Sequence, residues 1–223
     1  MNLGNSLLFV IIGIVMIACT TEKKKVVFFG DSITQAGEED PAGYINVLRD
    51  RLDTVRYQLV GAGISGNKVP DLEARVDQDV LSVNPDVVFI YIGINDVWHF
   101  HKFNGTTGTE IDRYREGLQN LVDKLQAQNL TVILCTPTVI GEEPAMVGEI
   151  NEQLDDYAQV VRDVASAKNT GLCDLRSEFK TYLSSNNPVN QYEGILTTDG
   201  VHLNPAGNAF LADLMQECLE LNE

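Results

Sequence analysis

Basic side chains are scarce in this 223-residue chain: 16 Lys and Arg stand against 32 Asp and Glu, for a formal net charge of −16. So acidic a surface repels phosphate backbones and anionic bilayers. It argues against nucleic acid as a partner and leaves membrane contact to an inserted or lipidated segment. Cysteine is also sparse. None of the four lies in a Cys-x-x-Cys spacing or beside a histidine, so zinc and dithiol redox motifs are missing. Cys135, Cys173 and Cys218 are expected as small buried hydrophobes. No glycine-rich phosphate loop follows the first β-rich run, and no repeat, low-complexity tract or interdomain linker interrupts the chain. There are only three histidines, which leaves few choices for a catalytic base.

Charge is missing altogether from the first 21 residues, where Leu7 to Ala18 form an apolar run broken by a single glycine. That run falls short of the roughly 20 residues that span a bilayer and suits a signal-peptide core. It ends in Met16-Ile17-Ala18-Cys19, which resembles the lipobox of bacterial lipoproteins. The resemblance implies cleavage and lipidation at Cys19, an exported protein, and attachment to a membrane through that lipid. Residues 1–19 are then a leader. Lys23, Lys24 and Lys25 follow the run and favour the alternative, an uncleaved anchor with the rest of the chain in the cytoplasm.

From residue 25 onward, continuous apolar runs alternate with helical patterns. Lys25–Phe29 reads as a buried strand, and Tyr57–Val60, Asp86–Ile92, Thr131–Cys135 and Gly171–Asp174 read as further strands. Between them, Tyr44 to Leu52, Val69–Leu81, Ile111–Gln128 and Ile150–Ala167 carry apolar residues at helical spacing, and Pro205–Leu221 closes the chain. Strands that are apolar throughout, separated by helices, imply a parallel sheet covered on both faces. The expectation is one three-layer α/β/α domain, flavodoxin-like, over residues 25–221, with a mostly five-stranded parallel sheet.

Ligands in such sheets bind beyond the carboxyl ends of the strands. The polar motifs fall there: Gly30-Asp31-Ser32-Ile33-Thr34, Gly63-Ile64-Ser65-Gly66-Asn67 and Gly93-Ile94-Asn95-Asp96 follow the first three strands, and Asp199-Gly200-Val201-His202 precedes the last helix. Their chemistry is complementary. Ser32 is a nucleophile that needs a base, His202 supplies one, and Asp199 sits three residues back, able to orient the imidazole. The Ser32 and Gly66 backbone N–H groups and the Asn95 amide are candidate donors to an oxyanion, with glycine at 66 letting backbone approach the reacting centre.

These four blocks, in this order from residue 25 to about 210, resemble the SGNH (GDSL) hydrolases, a family named for its Ser, Gly, Asn and His. The resemblance implies Ser32 as nucleophile, His202 as base, Asp199 as its orienter, and Ser32, Gly66 and Asn95 as the oxyanion hole. GISGNKVPDLEARVDQDV and YIGINDVWH are similar to the acetylxylan-esterase-like branch. That similarity implies a serine esterase removing acetyl groups from a saccharide without any cofactor. Two alternatives stand beside it: a lysophospholipase, short-chain lipid esterase or thioesterase, and a glycan-binding module without catalysis. Trp98 and His99 are expected to wall the pocket. His99 and His101, if they alternate, would share one side as a metal pair, but no third ligand is evident, so no metal is expected. Asp31 and Asp96 are expected to brace their loops, and Asn204 to cap the closing helix. The expected partner is a small-molecule or saccharide ester; oligomerisation is left open.

Overall fold

The structure is a computed structural model that describes residues 23–102, 107–143 and 148–222. The leader and Cys19 lie outside these residues. Five strands form one parallel sheet: β1 (Lys24–Gly30), β2 (Tyr57–Gly63), β3 (Val87–Tyr91), β4 (Thr131–Cys135) and β5 (Gly171–Cys173). Their spatial order is β2-β1-β3-β4-β5. The chain thus runs outward to one side of β1, crosses back, and continues the other way from β3. All five residues of β3 are buried, as an apolar strand in the middle of a sheet covered on both faces requires.

The helices α1 (Ser32–Glu39), α2 (Tyr44–Arg51) and α8 (Pro205–Leu221) pack together, and α3 (Val69–Asp79), α5 (Ile111–Gln126) and α6 (Glu149–Lys168) form a second group. Right-handed crossovers from strands advancing in opposite directions place such groups on opposite faces. The expected α/β/α sandwich is therefore the observed fold. The α5 stripe of Tyr114, Leu118, Leu121, Val122 and Leu125 is buried, as its spacing predicted. Asn204 caps α8, its Oδ1 accepting from Gly207 N at 2.9 Å with Pro205 in the first turn.

Three helices were not legible as such: α1, α4 (Ile94–Lys102) and α7 (Leu175–Asn186). A correction also falls on the cysteines. Cys173 at the end of β5 and Cys218 in α8 form a disulfide with their Cα atoms 5.7 Å apart, whereas Cys135 is the buried free thiol that was expected. The two partners lie 45 residues apart in unlike elements, so no sequence pattern betrays them. Closing a loop of that length stabilises by about 4 kcal/mol on a chain-entropy basis, and it ties the closing helix to the edge strand.

Candidate active site

The strand order reverses between β1 and β3, and ligands in this topology usually bind beyond the carboxyl ends of those strands. Ser32 leaves β1 as the first residue of α1. Its N-cap is Asp31, whose Oδ1 accepts from Ile33 N at 3.0 Å, so the serine hydroxyl is not consumed in capping. The Ser32 N–H, in the first turn of a helix, has no intrahelical partner and lies at the positive end of the dipole.

Ser32 Oγ lies 3.0 Å from His202 Nε2, and His202 Nδ1 lies 2.7 Å from Asp199 Oδ2. The other Asp199 oxygen accepts from the backbone of Val201 (3.0 Å) and His202 (2.7 Å). Gly200, between them, takes φ +84°, which lets the chain double back so quickly. Burial pushes the Asp199 carboxyl up, but the hydrogen bond from the His202 ring and the two backbone bonds outweigh it, and the carboxyl is held below its usual range.

Gly66 and Asn95 approach from β2 and β3. Ile64–Asn67 is a tight turn closed by Asn67 N to Ile64 O at 3.2 Å, with Gly66 at its third position and φ +79°. A Cβ at Gly66 would meet nothing within 4 Å among the described residues, so within the protein it is this φ that favours glycine. Asn95 is buried. Its Nδ2 donates to Asn67 O at 3.1 Å and lies 3.5 Å from Asp31 Oδ2, so the amide is bonded beside both Gly66 and Ser32.

Arg75, in α3, was not recognised from the sequence, where it reads as a helix-surface cation. Its guanidinium donates to Gly30 O (2.7 Å), Ala62 O (3.0 Å) and Asn67 Oδ1 (2.7 Å) and stacks 4.4 Å from the Phe29 ring centroid. It therefore clamps the ends of β1 and β2 and the turn that carries Gly66.

Trp98 flanks His202, ring centroids 6.4 Å apart, with Lys102 Nζ 4.1 Å from the indole centroid. Burial, with Lys68 and Lys102 nearby, lowers the pKa of His99. The alternation imagined for His99 and His101 does not occur. Both lie in α4, where two residues turn through about 200°, and His101 Nε2 instead meets Gln153 Oε1 at 2.9 Å.

Behind the rim, Asp31 and Asp96 brace their loops as expected, Asp96 Oδ1 accepting from Val69 N at 3.0 Å. Asp96 Oδ2 is buried with no partner among the described residues. Burial raises the Asp31 carboxyl to about 6 and that of Asp96 to about 7, each from 3.8. The folded protein thus holds a proton on Asp96 that the unfolded chain gives up, and Asp96 costs stability as the pH rises from about 4 to about 7. Asp96→Asn keeps the Oδ1 acceptor and removes the charge. Relative to wild type it should gain up to about 4 kcal/mol of unfolding free energy between pH 4 and pH 8. Urea melts of both proteins at the two pH values measure this, and a difference that does not change with pH would refute it.

A parallel α/β/α sheet carrying Ser, Gly, Asn and His blocks on its carboxyl rim defines an SGNH hydrolase. Residues 28–210 match the GDSL-like lipase/acylhydrolase family. The acetylxylan esterase of Geobacillus stearothermophilus is 34% identical over 206 residues, covering 85% of this chain and 90% of that protein. A crystal structure of an acetyl xylan esterase, AlAXEase, superposes with a TM-score of 0.84 at 46% identity, covering 87% of this chain and 99% of the other. The uncharacterized lipoprotein YqeF of Bacillus subtilis is 24% identical over 221 residues, 86% of this chain and 88% of that one. The chain belongs to the GDSL-like lipase/acylhydrolase family and is a carboxylic-ester hydrolase.

Proposed function

We propose that this esterase removes acetyl groups from a saccharide through an acyl-enzyme on Ser32. The observation that carries the reading is the unbroken line Asp199 Oδ2–His202 Nδ1 and His202 Nε2–Ser32 Oγ, at 2.7 and 3.0 Å. His202 takes the hydroxyl proton as Ser32 attacks the ester carbonyl. The Ser32 N–H, the Gly66 N–H and Asn95 Nδ2 receive the oxyanion. The imidazolium, steadied by Asp199, then protonates the departing sugar hydroxyl, and water repeats the sequence to release acetate. No step calls on a cofactor. Trp98 beside His202 offers an aromatic wall to a sugar ring, and the acetylxylan esterases among the relatives support a saccharide ester as substrate.

We further propose that residues 1–19 are a lipoprotein leader cleaved before Cys19, with the hydrolase domain over residues 25–221. The likeness to YqeF supports export, as does the Cys173–Cys218 disulfide, a bond of oxidising compartments. β1 begins at Lys24, five residues after Cys19, and the rim lies at its other end. Seven residues of strand put about 20 Å between them. An anchor at Cys19 would therefore attach the domain at the end of β1 opposite the rim.

The test compares kcat/KM on nitrophenyl acetate and nitrophenyl decanoate, with acetate release from acetylated xylo-oligosaccharides. The acetyl ester and the oligosaccharide should be turned over well and the decanoate poorly; preference for decanoate would point to a lipid esterase instead. In the same preparations, wild type should sediment with membranes and Cys19→Ser should be released or left unprocessed. A soluble wild type would remove the lipoprotein reading and leave the chemistry standing.

A further inference from the structure

Glu142 follows β4 in a loop and is fully buried. A carboxylate taken out of water is costly unless its oxygens are bonded. Here both are: they accept from the backbone N–H groups of Ile195, Leu196 and Thr197 and from the Thr197 hydroxyl, at 2.5 to 2.8 Å. Four charge-assisted bonds from three consecutive residues pin that segment in one place.

The pinned segment is the base of the turn that carries Asp199 and His202. Thr197 pairs with Leu203, and Thr198 N donates to His202 O at 2.8 Å, so the two arms close on each other. The Thr197 hydroxyl, donating to Glu142, accepts in turn from Gly200 N at 3.1 Å. One relay thus runs from the buried carboxylate to the residue between Asp199 and His202. Beside it, Gly141 N donates to Gly200 O at 2.8 Å and Glu142 N to Tyr192 O at 2.9 Å. The downstream arm leads into α8 through the Asn204 cap; Glu142 supplies the upstream anchor.

We propose that Glu142 is a positioning residue for ester hydrolysis, acting through Thr197 to hold the Asp199–His202 turn in register with Ser32. The need for such an anchor follows from the chain. Ser32 and His202 are 170 residues apart on separate elements, yet must keep a 3.0 Å contact through every turnover. A misplacement of about 1 Å costs on the order of 100-fold in rate. The inference rests on His202 acting as the base and Asp199 as its orienter.

Glu142→Gln keeps the shape but sets an amide N–H2 against at least one of the N–H donors. It should lower kcat for a small acetyl ester on the order of 10- to 100-fold, with KM nearly unchanged, because the substrate's binding groups are untouched. Thr197→Val keeps the backbone bonds and cuts only the hydroxyl relay; it should lower kcat in the same direction by less. Combined with His202→Ala, either change should add little further loss, since the turn acts through that imidazole. A role in stability alone would lower the melting temperature of Glu142→Gln and leave its kcat at wild-type level in the folded range. That result, or losses that multiply with the His202→Ala loss, would overturn the proposal. If Glu142→Gln fails to fold, Thr197→Val decides alone. Full activity in Asp199→Asn would instead bring down the assignment of Asp199, a failure separable from this one.

Discussion

Ser32→Ala should leave a folded protein with almost no esterase activity. The substitution removes one oxygen from the first turn of α1, whose cap is Asp31 and whose packing is carried by Ile33, so the helix keeps its start. What disappears is the atom that, on the proposed mechanism, bonds to the acyl carbon. Loss of the nucleophile from a serine hydrolase lowers kcat by a factor on the order of 10⁶. The remainder, supplied by binding and the oxyanion donors, still exceeds the rate in water by about 10³ to 10⁴. Intact-mass analysis after a fluorophosphonate probe should show one adduct on wild type and none on the variant, with matching thermal melts. An adduct that survives in Ser32→Ala would place the nucleophile elsewhere.

The frame that presents this serine was largely legible in the sequence, because buried parallel strands and α5 announce themselves by apolar runs and a helical stripe. The helices that begin inside the functional motifs were not. α1 and α4 open on Ser32-Ile33-Thr34 and Ile94-Asn95-Asp96, where polar residues chosen for chemistry replace the apolar ones that would have marked a helix. The Ser, Gly, Asn and Asp–His blocks could be found because each carries a local signature at a strand or helix end. Glu142 and Arg75 carry none. Each works through bonds to backbone far away in the chain, Glu142 across more than 50 residues to Ile195–Thr197 and Arg75 across 45 to Gly30. Within their own neighbourhoods they read as a loop acid and a helix-surface base. The Cys173–Cys218 bond escaped for the same reason, since only the fold brings β5 against α8.

Asp199→Asn and Asn95→Ala should both lower kcat, the first by more. Asp199 Oδ2 lies 2.7 Å from His202 Nδ1, and on the proposed mechanism this contact fixes the ring with Nδ1 as donor. An amide there can turn its own N–H toward the ring and favour the wrong tautomer, a change that costs about 10⁴ in kcat in the chymotrypsin-type triad. On the proposed mechanism Asn95 contributes to the rate only once the oxyanion forms. Loss of one such donor costs a factor on the order of 10² to 10³, or about 3 to 4 kcal/mol, with little effect on KM. The measurement is kcat and KM for a small acetyl ester with the three proteins. An Asn95→Ala defect confined to KM would show that Asn95 supports the geometry of Asp31 and Asn67 instead of the oxyanion.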